Sequence, residues 1–355
     1  MRTSDFDYHL PKNLIAQRSV EPRDHSRLMV IDRLEQSRGE RQFRNIIEYL
    51  RPGDLIVRNN SKVFKARLIG NLVSSTDETL FHHDKPVEVF LVRPMENRGV
   101  WQVLAKPGKH FDHGMRVRFA PDFYADVMLK KPDGTILVQF SEDEVEVRGK
   151  ANRYGHIPVP PYVKGEPDTL AGYQTVYASD EKEGSVAAPT SGFHFTDELF
   201  GRLREKGIDV TEVTLHVGLG TFLQVKTEQI EEHRMHSEWV EVNRGAADSI
   251  NRAKAEGRRV VAIGTTTVRT LEGVARIAGG NPMKPYVGDI DIFVTPGFEF
   301  RVVDALVTNF HLPKSTLLML VAAFTRDTDY LLSCYNYAVE AGYRFFSFGD
   351  AMFIH

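Results

Sequence analysis

Five short runs rich in Val and Phe, crowded between residues 64 and 152, set the tightest limit on what this chain can fold into. Residues 87–94, 100–107, 115–119, 124–131 and 135–140 are each strand-length, and turn signals separate them. Pro132-Asp133-Gly134, between the last two, is a hairpin signature. No helical periodicity of useful length interrupts the runs. Residues 64–152 are therefore expected to form a small all-β barrel or sandwich.

The chain around this block reads differently. A proline-rich extended connector, Ile157-Pro158-Val159-Pro160-Pro161-Tyr162, follows it. Helices and strands then alternate to the C-terminus. Residues 196–206 read as a helix that Thr196 caps and Gly207 ends, and residues 208–217 alternate like a strand. A second helix over 245–256 precedes the near-continuous apolar strand 259–263, of the kind buried on both faces of a parallel sheet. A helix over 265–278, strands over 290–295 and 305–310, and helices over 315–324 and 328–341 complete the pattern. Strand candidates at 27–32 and 54–58 join the same unit. The expected fold is α/β: a layered domain with a mostly parallel sheet, built from residues 1–63 and 153–355, carrying the all-β barrel of residues 64–152 as an insertion.

Composition narrows the function classes. Of the 355 residues, 45 are Lys or Arg and 48 are Asp or Glu, so no overall basic excess advertises nucleic acid or membrane. The charge is uneven, however: residues 1–70 hold 14 basic against 9 acidic side chains, enough for a local phosphate-binding patch. The longest apolar run, residues 317–324, is far too short to span a membrane, and no secretory signal opens the chain. A lone cysteine, Cys334, excludes an internal disulfide and a Cys-Cys redox pair, fits the reducing cytoplasm, and is expected in the core.

Four stretches combine Gly, hydroxyl and His residues beyond what packing requires. Ala188-Pro189-Thr190-Ser191-Gly192-Phe193-His194-Phe195 precedes a helix N-terminus, where backbone N–H groups can meet an anion or carbonyl, although a plain capping loop uses the same residue types. His216-Val217-Gly218-Leu219-Gly220-Thr221-Phe222 ends a strand, and its Gly-x-Gly lacks the third glycine of a dinucleotide fingerprint. His233-Arg234-Met235-His236-Ser237-Glu238 invites a metal reading, yet no cysteine or third well-spaced ligand supports it, so hydrogen-bonding or acid–base histidines are preferred. Gly264-Thr265-Thr266-Thr267-Val268-Arg269 joins a strand to a helix without a Walker pattern, as a ribose or anion site or a simple Thr-rich cap. A companion loop, from Asn309-Phe310-His311 to Ser315-Thr316, again links a strand to a helix. Such loops converge on one sheet edge, and that convergence argues for an active site.

Longer motifs carry a resemblance. Asp5-Phe6-Asp7-Tyr8, Arg23-Asp24-His25-Ser26-Arg27-Leu28-Met29, Pro158-Val159-Pro160-Pro161-Tyr162, Tyr173-Gln174-Thr175-Val176-Tyr177, Thr214-Leu215-His216-Val217-Gly218, Met235-His236-Ser237-Glu238 and the run from Val303 to Pro313 occur in fixed order. In these the chain resembles the S-adenosylmethionine:tRNA ribosyltransferase-isomerase family of queuosine synthesis over essentially its whole length. Ser61-Lys62 stands where the family commonly has Thr-Arg, and lysine cannot reproduce a bidentate guanidinium contact.

The resemblance implies a transferase and isomerase that uses S-adenosylmethionine as a ribosyl donor. The acceptor is 7-aminomethyl-7-deazaguanine at the tRNA wobble position, and the products are epoxyqueuosine in tRNA, adenine and methionine. S-adenosylmethionine is then a consumed substrate, and no metal or other cofactor is expected. His194, His216, His236 and His311 are the expected acid–base groups, with Glu238 and Asp350 orienting or sharing the work. Thr265, Thr266, Thr267 and Arg269 are candidates for the ribose or the methionine carboxylate, with Ser191, Gly218 and Gly220 shaping the pocket. Arg23, Arg27, Arg58 and Lys62 are candidates for the tRNA backbone, and the protein is expected to be a cytoplasmic monomer. A non-catalytic tRNA-binding protein and an S-adenosylmethionine-dependent RNA methyltransferase are the competing readings. The chain lacks an aromatic stacking motif for the first and a Gly-rich Rossmann loop for the second.

Overall fold

The computed structural model describes residues 1–74, 85–218, 225, 227–235 and 237–355. The chain opens with strands β1 (Arg27–Asp32), β2 (Ser37–Gln42), β3 (Leu55–Asn59) and the short β4 (Lys62–Val63). Six strands follow: β5 (Arg67–Ser74), β6 (Val87–Pro94), β7 (Val100–Lys106), β8 (Met115–Ala120), β9 (Phe123–Lys130) and β10 (Ile136–Gln139). Helix α1 (Glu144–Tyr154) ends this region. After β11 (Glu183–Ser185) come α2 (Asp197–Glu205), β12 (Asp209–Leu215), β13 (Glu238–Val242), α3 (Arg244–Ala255), β14 (Val260–Ile263) and α4 (Thr265–Ile277). The last elements are β15 (Tyr286–Ile290), β16 (Ala305–Asn309), α5 (Thr316–Thr325), α6 (Thr328–Glu340) and β17 (Ala351–Ile354).

Strands β5 to β10 close into an antiparallel barrel in the order β10-β7-β6-β5-β8-β9. Its interior is filled by Trp101, Phe111, Phe123 and Phe140 among alternating Val and Ile. The Pro-Asp-Gly turn forms as its chemistry dictates: the Asp133 carboxylate accepts the Thr135 N–H at 2.9 Å, and Gly134 takes a φ of +86°. Strand β5 escaped the sequence pattern because Gly70 and Asn71 interrupt its apolar run. The glycine is needed there, since a Cβ would come within 2.7 Å of the Arg118 carbonyl on β8. Helix α1 is also unforeseen. A capping box between Asp143 and Glu146 starts it, but it buries only Val147 and Ala151, too little to print a helical period.

The large sheet is nine-stranded and mixed, in the order β15-β13-β12-β3-β14-β16-β17-β1-β2. Parallel pairing is confined to β12·β3, β3·β14, β14·β16 and β17·β1, fewer neighbours than the alternating pattern suggested; the other four pairs are antiparallel. β14 and β16 are buried on both faces, as continuous apolar strands must be. One face packs Ala247, Ile250, Leu271, Leu320 and Leu331 of α3 to α6, and the other packs Phe43 and the α2 residues Leu199, Phe200 and Leu203. The strand expected over 290–295 ends at Ile290; Ile292 and Val294 are buried, so their alternation reflects core packing by an extended segment. Cys334 is fully buried in α6. Among the described residues no helix is long and apolar enough to cross a membrane, and no three His, Cys, Asp or Glu side chains group as metal ligands.

Candidate active site

A cavity of about 590 Å³ opens at the carboxyl ends of β14 and β16. The turn after β14 contributes Gly264, Thr265 and Thr266, and the turn after β16 contributes Asn309, Phe310 and His311. Gly264 makes the first turn possible. Its φ is +86°, its N–H donates to the Val307 carbonyl at 2.8 Å, and a Cβ there would stand 3.4 Å from the Ser191 side chain. Ser191 thus lies beside the amino end of α4 and also faces the cavity. Tyr162 and Phe346, with ring centroids 4.6 Å apart, bring an aromatic wall from distant parts of the chain. Among the described lining residues there is no Asp, Glu, Lys or Arg. Flat aromatic walls with sparse hydroxyl, amide and imidazole groups suit a nucleoside better than a polyanion.

The histidines divide by position. His311 lines the cavity; its Nε2 bonds Thr308 Oγ1 at 2.9 Å, and its backbone is clasped by the hydroxyls of Tyr8 and Tyr335. Among the described residues nothing bonds its Nδ1, and burial holds the imidazole down to about 3, so it is neutral at pH 7. His194 lies behind the wall. Its Nδ1 bonds Ser26 Oγ at 2.7 Å, its Nε2 meets Asn309 Nδ2 at 3.3 Å, and its ring stacks on Phe43. Burial, helped by the charges of Arg344 and Arg23, also lowers it to about 3. His216 stacks on Trp239 at 4.9 Å and packs against Gly184, where a Cβ would come within 2.7 Å of Nε2. Burial, then the charges of Arg148 and Lys182, lowers it to about 4. His216 does not line the cavity, although its neighbour Val217 does. His236 and Gly220 lie outside the described residues.

The charged candidates sit deeper. Glu238 and Arg269 form a buried ion pair through Nη1, and the second Glu238 oxygen accepts the Gly218 N–H at 3.3 Å. The Nε and Nη2 atoms of Arg269 are buried and have no partner among the described residues. Thr267 donates its hydroxyl to the Ile263 carbonyl at 2.6 Å and is wholly buried, which leaves the cavity to Thr265 and Thr266. Asp350 accepts the backbone N–H groups of Arg27 at 3.0 Å and Arg344 at 2.8 Å, and does not reach the cavity.

The four basic candidates are all engaged within the protein. Arg23 donates to the Gln174 and Gly172 carbonyls, and Arg27 bridges Glu40 and the Ala341 carbonyl over the Tyr343 ring. Arg58 forks onto Glu212 between Tyr177 and Phe200, and Lys62 pairs with Asp180 at 2.7 Å. Other cations are available at the cavity rim. Gln17 donates to the Tyr162 carbonyl at 3.1 Å and accepts the Lys164 N–H at 2.7 Å, which sets Arg18 and Lys164 beside the aromatic wall. Both side chains are exposed, and neither has an ion-pair or hydrogen-bond partner among the described residues.

Sequence reasoning passed over Asn309, Tyr162 and Tyr173. Asn309 stood inside a loop already singled out for His311, and a polar residue ending a doubly buried strand was the available signal. Tyr162 was masked by the proline-rich connector that it ends, which read as a linker, and Tyr173 stood only in a motif of the resemblance, with no role attached.

The model of the family described as "Queuosine biosynthesis protein" matches residues 3–354. The S-adenosylmethionine:tRNA ribosyltransferase-isomerase of Thermotoga maritima is 48% identical over 355 residues, covering all of both chains. The protein of the same name from Sulfurihydrogenibium sp. is 45% identical over 356 residues, again end to end. A crystal structure of S-adenosylmethionine tRNA ribosyltransferase from Thermotoga maritima superimposes with a TM-score of 0.55 at 39% identity, covering 99% of this chain and all of that one. The cavity, the barrel and the motifs that frame them run through the whole length these comparisons match, and the chain belongs to the queuosine biosynthesis protein family.

Proposed function

We propose that the protein transfers the ribosyl moiety of S-adenosylmethionine to 7-aminomethyl-7-deazaguanine at the tRNA wobble position and isomerises it, giving epoxyqueuosine, adenine and methionine. The observation that carries this reading is the aromatic-walled cavity at the strand carboxyl ends, whose volume falls in the roughly 300–1,000 Å³ range of small-molecule sites. Thr265, Thr266 and Ser191 offer hydroxyls for the ribose. Arg269 lies deeper than the cavity lining, and with two guanidinium nitrogens that have no partner among the described residues it is the cation for the methionine carboxylate.

His311 is the acid–base group. The donor's sulfonium acidifies the adjacent 5′-methylene, and a neutral imidazole can take that proton. Burial penalises a new charge, but here no net charge appears: the sulfonium cation becomes a neutral ylide as His311 becomes an imidazolium. The positive charge moves across the cavity, which offsets the burial that holds the resting group so low. The imidazolium then holds a proton for the departing adenine. The reaction written this way requires no metal or redox group.

The tRNA backbone meets the rim cations Arg18 and Lys164, with the wobble base splayed into the cavity beside Tyr162. The enzyme works as a cytoplasmic monomer. Chromatography of products from purified protein, S-adenosylmethionine and tRNA carrying 7-aminomethyl-7-deazaguanine tests the reading. Adenine and methionine should appear in equal amounts, and only with the modified tRNA. S-adenosylhomocysteine instead would mean methyl transfer, and tRNA binding without turnover would mean a binding protein.

A further inference from the structure

Asn309 is the last residue of β16, and its side chain is 115 residues from one partner and 37 from another. Both hydrogens of its amide are used behind the cavity wall: Nδ2 donates to the Phe346 carbonyl at 2.9 Å and to His194 Nε2 at 3.3 Å. A backbone carbonyl can only accept, so the amide nitrogen must lie on that side. The oxygen is thereby turned the other way. Oδ1 is buried and has no partner among the described residues, and Asn309 is 3% exposed and lines the cavity. Native folds rarely leave a buried acceptor empty, and such an atom on a residue that lines a ligand-sized cavity marks where a donor belongs.

The Phe346 carbonyl fixes this orientation, and His194 supports it by accepting the second amide hydrogen. The imidazole is neutral, stacked on Phe43 and fixed by Ser26 Oγ at 2.7 Å. With Nε2 accepting from Asn309, its proton resides on Nδ1 and is donated to Ser26. An amide flipped by 180° would set its oxygen against the Phe346 carbonyl oxygen, so the amide holds and the His194 tautomer follows it. Ser26, His194 and Asn309 therefore form one chain that ends in an unpaired amide oxygen on a residue of the cavity lining.

We infer that Asn309 is a substrate-binding residue whose Oδ1 accepts a hydrogen bond from a neutral donor on the nucleoside, and that His194 is a positioning residue acting through it. The inference rests on the reading that S-adenosylmethionine occupies this cavity. The donor is either the exocyclic amine of the adenine or the 3′-hydroxyl of the ribose. An acceptor of this kind discriminates against a ligand lacking the donor, because the carbonyl is then left unpaired.

Equilibrium binding of three probes to the full-length protein tests this: S-adenosylmethionine, an analogue with hydrogen in place of the adenine amine, and a 3′-deoxyribose analogue. Asn309→Ala should weaken S-adenosylmethionine binding about tenfold. One analogue should bind wild type about tenfold more weakly and lose nothing further on Asn309→Ala, which names the donor. Losses that add for both analogues would overturn the assignment. His194→Leu should reproduce the Asn309→Ala loss, add nothing to it in the double variant, and leave every limb of the pH profile of kcat in place. His194→Gln, which keeps an acceptor, should recover most of the affinity and also serves if the leucine variant does not fold. Disappearance of a pH limb in either His194 variant would make the imidazole an acid–base group and refute the positioning role. Wild-type protein that binds no S-adenosylmethionine would instead overturn the functional reading, and this inference with it; normal wild-type binding with an unaffected Asn309→Ala overturns the inference alone.

Discussion

Glu238 and Arg269 form an ion pair sealed from solvent that uses one of the three guanidinium nitrogens. Glu238 also holds the Gly218 N–H, so the carboxylate ties the segment after β12 to helix α4. A buried guanidinium with two of its three nitrogens unpaired among the described residues is a poor stability device but a good receptor for a second carboxylate.

Arg269→Lys should therefore lose S-adenosylmethionine affinity by tenfold or more, because an ammonium cannot fork between Glu238 and a ligand carboxylate. Arg269→Met should in addition cost about 3–5 kcal/mol of stability by leaving Glu238 buried and unpaired. Adding Glu238→Gln should restore much of that stability and none of the affinity. Isothermal titration with urea denaturation separates the two effects, and full affinity in Arg269→Lys would remove Arg269 from the ligand.

Asp350 acts on the fold. It is 2% exposed and spends its oxygens on the Arg27 and Arg344 N–H groups, joining β1 to the segment that carries Phe346 and Ser347 into the cavity. Asp350→Ala should cost about 2 kcal/mol, the loss of charge-assisted bonds with two half-buried donors left over. Denaturant midpoints measured beside kcat decide the matter: a large fall in kcat at unchanged stability would return Asp350 to the chemistry.

Much of this architecture was legible along the chain because it follows local rules. The turn at Asp133, the Thr196 cap and the doubly apolar β14 each encode their own geometry within a few residues. The features that were not legible depend on partners far away. Gly70 belongs to a strand because Arg118 passes close by, and Ile292 alternates with Val294 because a core, not a ladder, receives them. The site divides the same way. Convergence of loops at strand ends could be read from element order, but His194 and His311 carry the same residue type in similar loops. Only the fold places one behind the wall and the other in it. The basic residues near the N-terminus likewise gave a charge excess, while their pairing with Glu40, Glu212 and Asp180 depends on tertiary structure.

That pairing changes what salt should do. Arg58 and Lys62 would have to leave protein carboxylates to meet phosphate, whereas Arg18 and Lys164 need leave nothing. Removing either rim cation should lower the slope of log K against log salt by about 0.7, the value for one lost contact on a single-stranded region. Filter binding of substrate tRNA between low and moderate salt measures it. A slope that stays fixed in the Arg18→Ala, Lys164→Ala double variant would place the RNA elsewhere.

Three neutral histidines, His194, His216 and His311, make the fold sensitive to acid in a definite direction. Burial holds their folded values to about 3, 4 and 3, below the ordinary imidazole value of 6.5. Between those limits the unfolded chain binds more protons than the folded one, so stability must rise with pH across the window and fall as pH drops from about 6.5. Each group contributes at most about 1.4 kcal/mol per pH unit where its folded form is neutral and its unfolded form is charged. Thermal melts from pH 7.5 to 4.5 should show Tm steady at first and then falling steeply below pH 6.5. His311→Gln should flatten that fall by less than a third, since His194, His216 and also His355, which burial lowers too, keep their terms. It should also remove turnover while retaining S-adenosylmethionine binding, because the amide keeps polar shape and cannot carry the proton. An unchanged acid slope would mean that His311 titrates freely in the folded state, and surviving turnover would move the base to another residue.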